Sequence, residues 1–80
     1  MGTAMKDLLE RLAKSLVDRP EEVQVREVGS PTASILELRV GDGELGKIIG
    51  KHGHTIQAIR TILSGVAAKE GKRMVLEILE

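Results

Sequence analysis

The core of this chain has to be aliphatic throughout. Its 80 residues include no Phe, Tyr, Trp or Cys, so Leu, Ile, Val, Ala and Met, 41% of the sequence, supply every buried apolar contact. A chain of this length buries only about 60–65% of the surface that its unfolded form exposes, which leaves room for one modest core and a single domain over residues 1–80. The missing cysteines exclude a disulfide framework and any thiolate-based zinc or redox site. The missing rings exclude any mechanism in which Phe, Tyr or Trp stacks on a ligand. No apolar run approaches the ~18 residues of a membrane span, and no apolar segment follows a basic start. The chain reads as cytoplasmic, soluble and without a membrane partner.

Periodicity divides the chain into six elements. Met5, Leu8, Leu9, Leu12, Ala13, Leu16 and Val17 recur at spacings of three and four, one face of an amphipathic helix. Pro20 disfavours helical geometry at Arg19, so the helix is expected to stop near Asp18. Residues 1–4 read as a disordered start or an expression remnant, since Met5 can itself be the start. Residues 22–28 alternate as a strand does, residues 29–32 (Gly-Ser-Pro-Thr) are a turn, and residues 34–40 place Leu36, Leu38 and Val40 on one face of a second strand. Asp42 is placed to cap a short helix in which Leu45, Ile48 and Ile49 share a face and which Gly50 ends. A longer helix over 54–69 turns Ile56, Ile59, Leu63, Val66 and Ala67 inward, and Gly71 closes it. Residues 73–79 are mostly apolar on both faces, which suits a strand that starts in the sheet interior. The order α-β-β-α-α-β predicts an α+β two-layer domain, a three-stranded mixed sheet with three helices on one face.

Charge is balanced overall and uneven locally. Residues 1–44 carry six basic and nine acidic side chains; residues 45–69 carry Lys47, Lys51, Arg60 and Lys69 and no acid, a net of +4. Within that basic stretch Gly50 and Gly53, three apart, place a tight turn between two helical patterns. The turn presents the N-terminus of the following helix, whose free N–H groups and dipole favour a phosphate. Lys51 and His52 stand between the glycines, and Ile49 and Ile56 are expected to anchor the loop on the core. The same two glycines also suit a helix–turn–helix corner used only for geometry.

The segment Ile49-Gly50-Lys51-His52-Gly53-His54-Thr55-Ile56 resembles the signature of the K-homology (KH) domain, an apolar-Gly-x-x-Gly-x-x-apolar run joining two helices. The element order resembles its type II arrangement from about Met5 to the end. Residues 16–23 (Leu-Val-Asp-Arg-Pro-Glu-Glu-Val) and 58–61 (Ala-Ile-Arg-Thr) resemble the stand-alone bacterial KH proteins of the KhpA-like (YlqC-type) group. The resemblance leaves no room for the larger domains to which such modules are often attached. It implies a single-stranded RNA-binding protein, acting in post-transcriptional regulation or as an RNA chaperone, whose glycine loop clamps the backbone of about four nucleotides. Gly50 and Gly53 would admit that backbone and Lys51 and His52 would face phosphates, with Lys47 and Arg60 as further contacts. The RNA-binding set it implies is Lys47, Ile49, Gly50, Lys51, His52, Gly53, Thr55, Ile56 and Arg60. Ile48, Ile49 and Ile56 are candidates for an apolar groove floor, and periodicity does not sort floor from core. Edge residues of the second strand, around residues 36–40, would supply the other wall. Single-stranded DNA is the alternative ligand. The alternative function is a protein-interaction module that pairs with itself or with a larger KH-containing partner and binds RNA weakly.

Enzymatic readings fare worse. A nucleotide-binding P-loop needs Gly where Leu45 stands and Ser or Thr where His52 stands. His52 and His54 form an i, i+2 pair with no Cys and no nearby acid as a third ligand. No metal, no cofactor and no catalytic residue is expected.

Overall fold

The computed structural model describes residues 4–79. Of the four residues expected to form a disordered start or remnant, the first three lie outside the described residues, and Ala4 opens helix α1 (Ala4–Leu16). The buried stripe of α1 is Met5, Leu9 and Ala13, at intervals of four that keep one line along a helix. Val17 continues it just beyond the end, whereas Leu16 is exposed. The helix stops at Leu16 rather than near Asp18. Arg19 takes φ −120°, ψ 74°, and Pro20 opens one 3-10 turn, Pro20–Glu22; the residue before a proline is driven out of the helical region.

Strands β1 (Gln24–Gly29) and β2 (Ala33–Arg39) form an antiparallel hairpin, with Gln24 opposite Arg39 and Gly29 opposite Ser34. β1 starts later than the alternation suggests because Glu22 belongs to the 3-10 turn. The hairpin turn is closed by the Ser30 N–H, which donates to the Ala33 carbonyl at 2.8 Å, while Ser30 Oγ accepts the Ala33 N–H at 3.2 Å. Helices α2 (Leu45–Ile49) and α3 (His54–Lys69) then cross over to β3 (Arg73–Leu79), which lies parallel to β2.

The sheet order β1-β2-β3 makes β2 the central strand, which corrects two expectations. β3 is an edge strand and does not belong to the sheet interior. β2 has no free edge to offer a ligand, and its Leu36 and Leu38 are fully buried. The reason is topological: the hairpin occupies one side of β2, and the crossover brings β3 to the other. Leu36, Leu38 and Leu76 face the helices and join Met5, Leu9, Ile48 and Leu63 in the core. On the open face Val28, Ile35 and Val75 form one row across the three strands, with Val28 46% and Val75 41% exposed. This row explains why β3 is apolar on both faces without being central, since β-branched residues suit a pleated surface even when half solvated. The arrangement is the α+β fold expected, α-β-β-α-α-β with three helices on one face of a mixed sheet.

Candidate nucleic-acid interface

A five-residue helix has no stability of its own, so α2 is placed by what it touches. Ile48 is fully buried and Leu45, one turn earlier, packs at the edge of the core. Ile49 lies about 100° further round the helix and is 37% exposed. It does not anchor the loop on the core. Of the three isoleucines considered for a groove floor, Ile48 and Ile56 are core residues and Ile49 reaches the surface. Asp42 is not the cap of α2 either: the N-cap position is Glu44, which makes no side-chain capping hydrogen bond.

Gly50 ends α2 with φ 76°, ψ 173°, a region open only to glycine. A Cβ on it would stand 2.1 Å from Thr55 Oγ1 and 2.6 Å from Thr55 Cβ, so Thr55, half-buried, is packed directly onto Gly50. The Gly50 N–H donates to the Gly46 carbonyl at 2.9 Å, and the Gly53 N–H to the Gly50 carbonyl at 3.1 Å. Lys51–Gly53 is a 3-10 turn broken at its middle, where His52 takes φ 57°, ψ 22°. Gly53 follows with φ 73°, ψ 13°, and nothing lies within 4 Å of where its Cβ would be. His52 is the one non-glycine residue with positive φ among the described residues, a conformation that costs about 1–2 kcal/mol. The two left-handed residues turn the chain so that α3 starts at His54, whose N–H donates back to the Lys51 carbonyl.

The exposed side chains here are Lys51, His52 and His54; the two imidazole centroids are 5.9 Å apart, tilted by 53°. No acidic side chain pairs with Lys51 or Arg60 among the described residues. Arg60 is exposed about 10 Å further along α3. Lys47 is exposed one turn before Gly50, with Nζ 3.4 Å from Asp18 Oδ2. The fold therefore brings Gly50, Lys51, His52 and Gly53 together, with Thr55 beneath and Ile49 adjoining in the chain. Ile56 is in the core, Lys47 is paired away, and Arg60 stands apart. Sequence reading left out Glu44, whose role rests on a contact 26 residues away in the chain. No local signal marks it, since Asp42 is an equally good capping type.

The surface so formed is a cationic corner on a backbone reversal, suited to an extended anion. No group of three or more His, Cys, Asp or Glu among the described residues is placed to hold a metal ion. No described helix is long and apolar enough to cross a membrane.

Comparison with known proteins points to one family. The family model described as KhpA/KhpB, KH domain matches residues 6–78. The RNA-binding protein KhpA of Clostridium acetobutylicum is 55% identical over 75 residues, covering 94% of this chain and all of that one. The protein of the same name from Aquifex aeolicus is 50% identical over 78 residues, covering 98% and 99%. That from Chlamydia muridarum is 51% identical over 76 residues, covering 95% and 97%. With a family model matched over nearly the whole chain and full-length relatives at about half identity, the chain belongs to the KhpA/KhpB KH-domain family.

Proposed function

We propose that this chain, as a single KH domain, binds about four nucleotides of single-stranded RNA in the cytoplasm, acting in post-transcriptional regulation or as an RNA chaperone. The observation that carries the reading is the loop itself: Lys51 and His52 project from a backbone reversal at the start of α3, inside a stretch without acidic side chains. Gly50 and Gly53 let the RNA backbone approach, Lys51 and His52 meet phosphates, and Ile49 offers an apolar contact beside them. Thr55 and Ile56 act from below, by seating the loop. Lys47 joins when RNA displaces Asp18, an exposed pair of little strength. Bases are held by van der Waals contact and hydrogen bonds to their edges. The test is the double variant Lys51→Asp/His52→Asp, assayed by fluorescence anisotropy with labelled single-stranded RNA and, in parallel, single-stranded DNA. Binding is expected to be lost with the circular dichroism spectrum unchanged. With three phosphate contacts, from Lys47, Lys51 and Arg60, the slope of log K against log salt is expected to be roughly −2. Unchanged affinity in the folded double variant refutes the loop as the site.

A second reading has its own observation. Ile62 on α3 is 47% exposed and Ile49 is 37% exposed, both within the acid-free stretch, so the later helices offer an apolar and cationic patch for a second copy or for a larger KH-containing partner. Sedimentation of the RNA-free chain decides it. A monomer at high concentration removes self-association; a dimer that Ile62→Asp dissociates supports it.

A further inference from the structure

The one buried charged residue among the described residues lies outside the loop. Glu44, 2% exposed, stands immediately before α2, where a side chain would ordinarily cap the helix. Its carboxylate reaches instead to the turn that follows α1. Glu44 Oε2 accepts the Asp18 N–H at 2.6 Å and Oε1 accepts the Arg19 N–H at 2.9 Å. Arg19 Nε is 3.3 Å from the same Oε1. The Arg19 guanidinium is further fixed by Glu22 Oε2 at 2.5 Å from Nε, and its Nη2 donates to the Asp42 carbonyl. It lies so close over Gly41 that a Cβ there would be 2.9 Å from Nη2. The hydrogen bond to Glu22 raises the Arg19 pKa further, as do the charges of Glu22, Glu44 and Glu21. Lys47 of α2 meets Asp18 of the same turn at 3.4 Å.

A carboxylate removed from water is tolerated only where its lone pairs are used, and here they are used on backbone N–H groups of a distant segment. α2 is too short to orient itself. Ile48 holds its inner face, and the Glu44 carboxylate holds its N-terminal end. Its C-terminal end is Gly50. Any tilt of α2 therefore moves the first glycine of the loop, together with the Gly50–Thr55 contact that shapes the turn.

We propose that Glu44 is a positioning residue for the glycine loop: gripped by the backbone of Asp18 and Arg19, it fixes α2 and thereby keeps residues 50–53 in the geometry that accepts RNA. The proposal rests on the loop being the RNA site. Charge alone predicts the opposite effect, because removing an acid near the loop strengthens attraction for a polyanion. That difference in sign makes the test decisive.

The experiment uses the full chain carrying Glu44→Gln, which preserves shape but turns an NH2 donor toward a backbone N–H. Affinity for a labelled single-stranded RNA pool is measured across a salt series, and hydrogen exchange of the Gly50 and Gly53 amides is followed without RNA. Affinity is expected to fall about tenfold, as it would if the loop were competent about a tenth of the time. The salt slope is expected to stay the same because the phosphate contacts are unchanged, and both amides are expected to exchange faster. Equal or tighter binding by folded Glu44→Gln overturns the proposal, as does unchanged amide exchange. Should Glu44→Gln not fold, Glu44→Asp, whose carboxylate keeps its charge but is one methylene too short to reach both backbone donors, takes its place. A loss of affinity of several fold with faster loop exchange supports the proposal, and wild-type values for both overturn it. Lys51→Asp is the control for the loop reading. If it binds RNA normally, that reading fails, and the positioning role of Glu44 is then decided by amide exchange alone.

Discussion

Gly50→Ala places a Cβ 2.1 Å from Thr55 Oγ1, 2.6 Å from Thr55 Cβ and 3.0 Å from the Thr55 backbone nitrogen, at φ 76°, ψ 173°. The backbone conformation alone costs about 1–3 kcal/mol for a residue with a Cβ, and forcing an atom into occupied space adds about 1–3 kcal/mol more. Together these amount to a large share of the ~4–12 kcal/mol that a domain of this size has in total. Gly53→Ala meets open space at φ 73°, so only the left-handed penalty of about 1–2 kcal/mol applies. Adding Thr55→Gly to Gly50→Ala removes the two closest contacts and leaves the φ and the backbone nitrogen. It should recover about 1–3 kcal/mol, the packing share, read as the coupling in a double-mutant cycle. Urea denaturation followed by far-UV circular dichroism measures all five proteins, the wild type, Gly50→Ala, Gly53→Ala, Thr55→Gly and the double variant, in a chain that lacks Trp and Tyr fluorescence. Equal costs for the two alanine substitutions, or a coupling near zero, would refute the reasoning.

Three further outcomes are expected. Gly65 sits inside α3 with nothing within 4 Å of an added Cβ, so Gly65→Ala should gain about 0.5–1 kcal/mol from helix propensity; a lower urea midpoint would contradict this. Leu63, fully buried between the helices and the sheet, should cost about 2–5 kcal/mol on truncation to Ala, and a smaller loss would mean that the core closes over the cavity. His52 and His54 adjoin Lys51 in a stretch without acids, so the double variant His52→Gln/His54→Gln should bind RNA more weakly in the same anisotropy titration, and unchanged affinity would show that the imidazoles make no contact with it.

The amino-acid sequence by itself determined the local matters. Spacings of three and four placed the inward face of α3 at Ile56, Ile59, Leu63, Val66 and Ala67, of which four are buried and Val66 is half-buried against the core, and the Gly-x-x-Gly run between two helical patterns located the turn that carries the exposed cations. Such patterns state which residues point the same way, and a lone pair of glycines states where the chain can reverse. They do not state what lies opposite. That β2 is central, that Ile48 is buried and Ile49 exposed, and that Lys47 is drawn to Asp18 all depend on segments distant in the chain. Gly50 and Gly53 look equivalent as letters, yet Thr55 packs against one and nothing against the other. Glu44 fills the N-cap position expected of Asp42, yet its carboxylate does not cap α2 and is taken by two N–H groups 25 and 26 residues away. A carboxylate accepts hydrogen bonds from whatever donors the packed chain brings within reach, and that proximity exists only once the layers have closed.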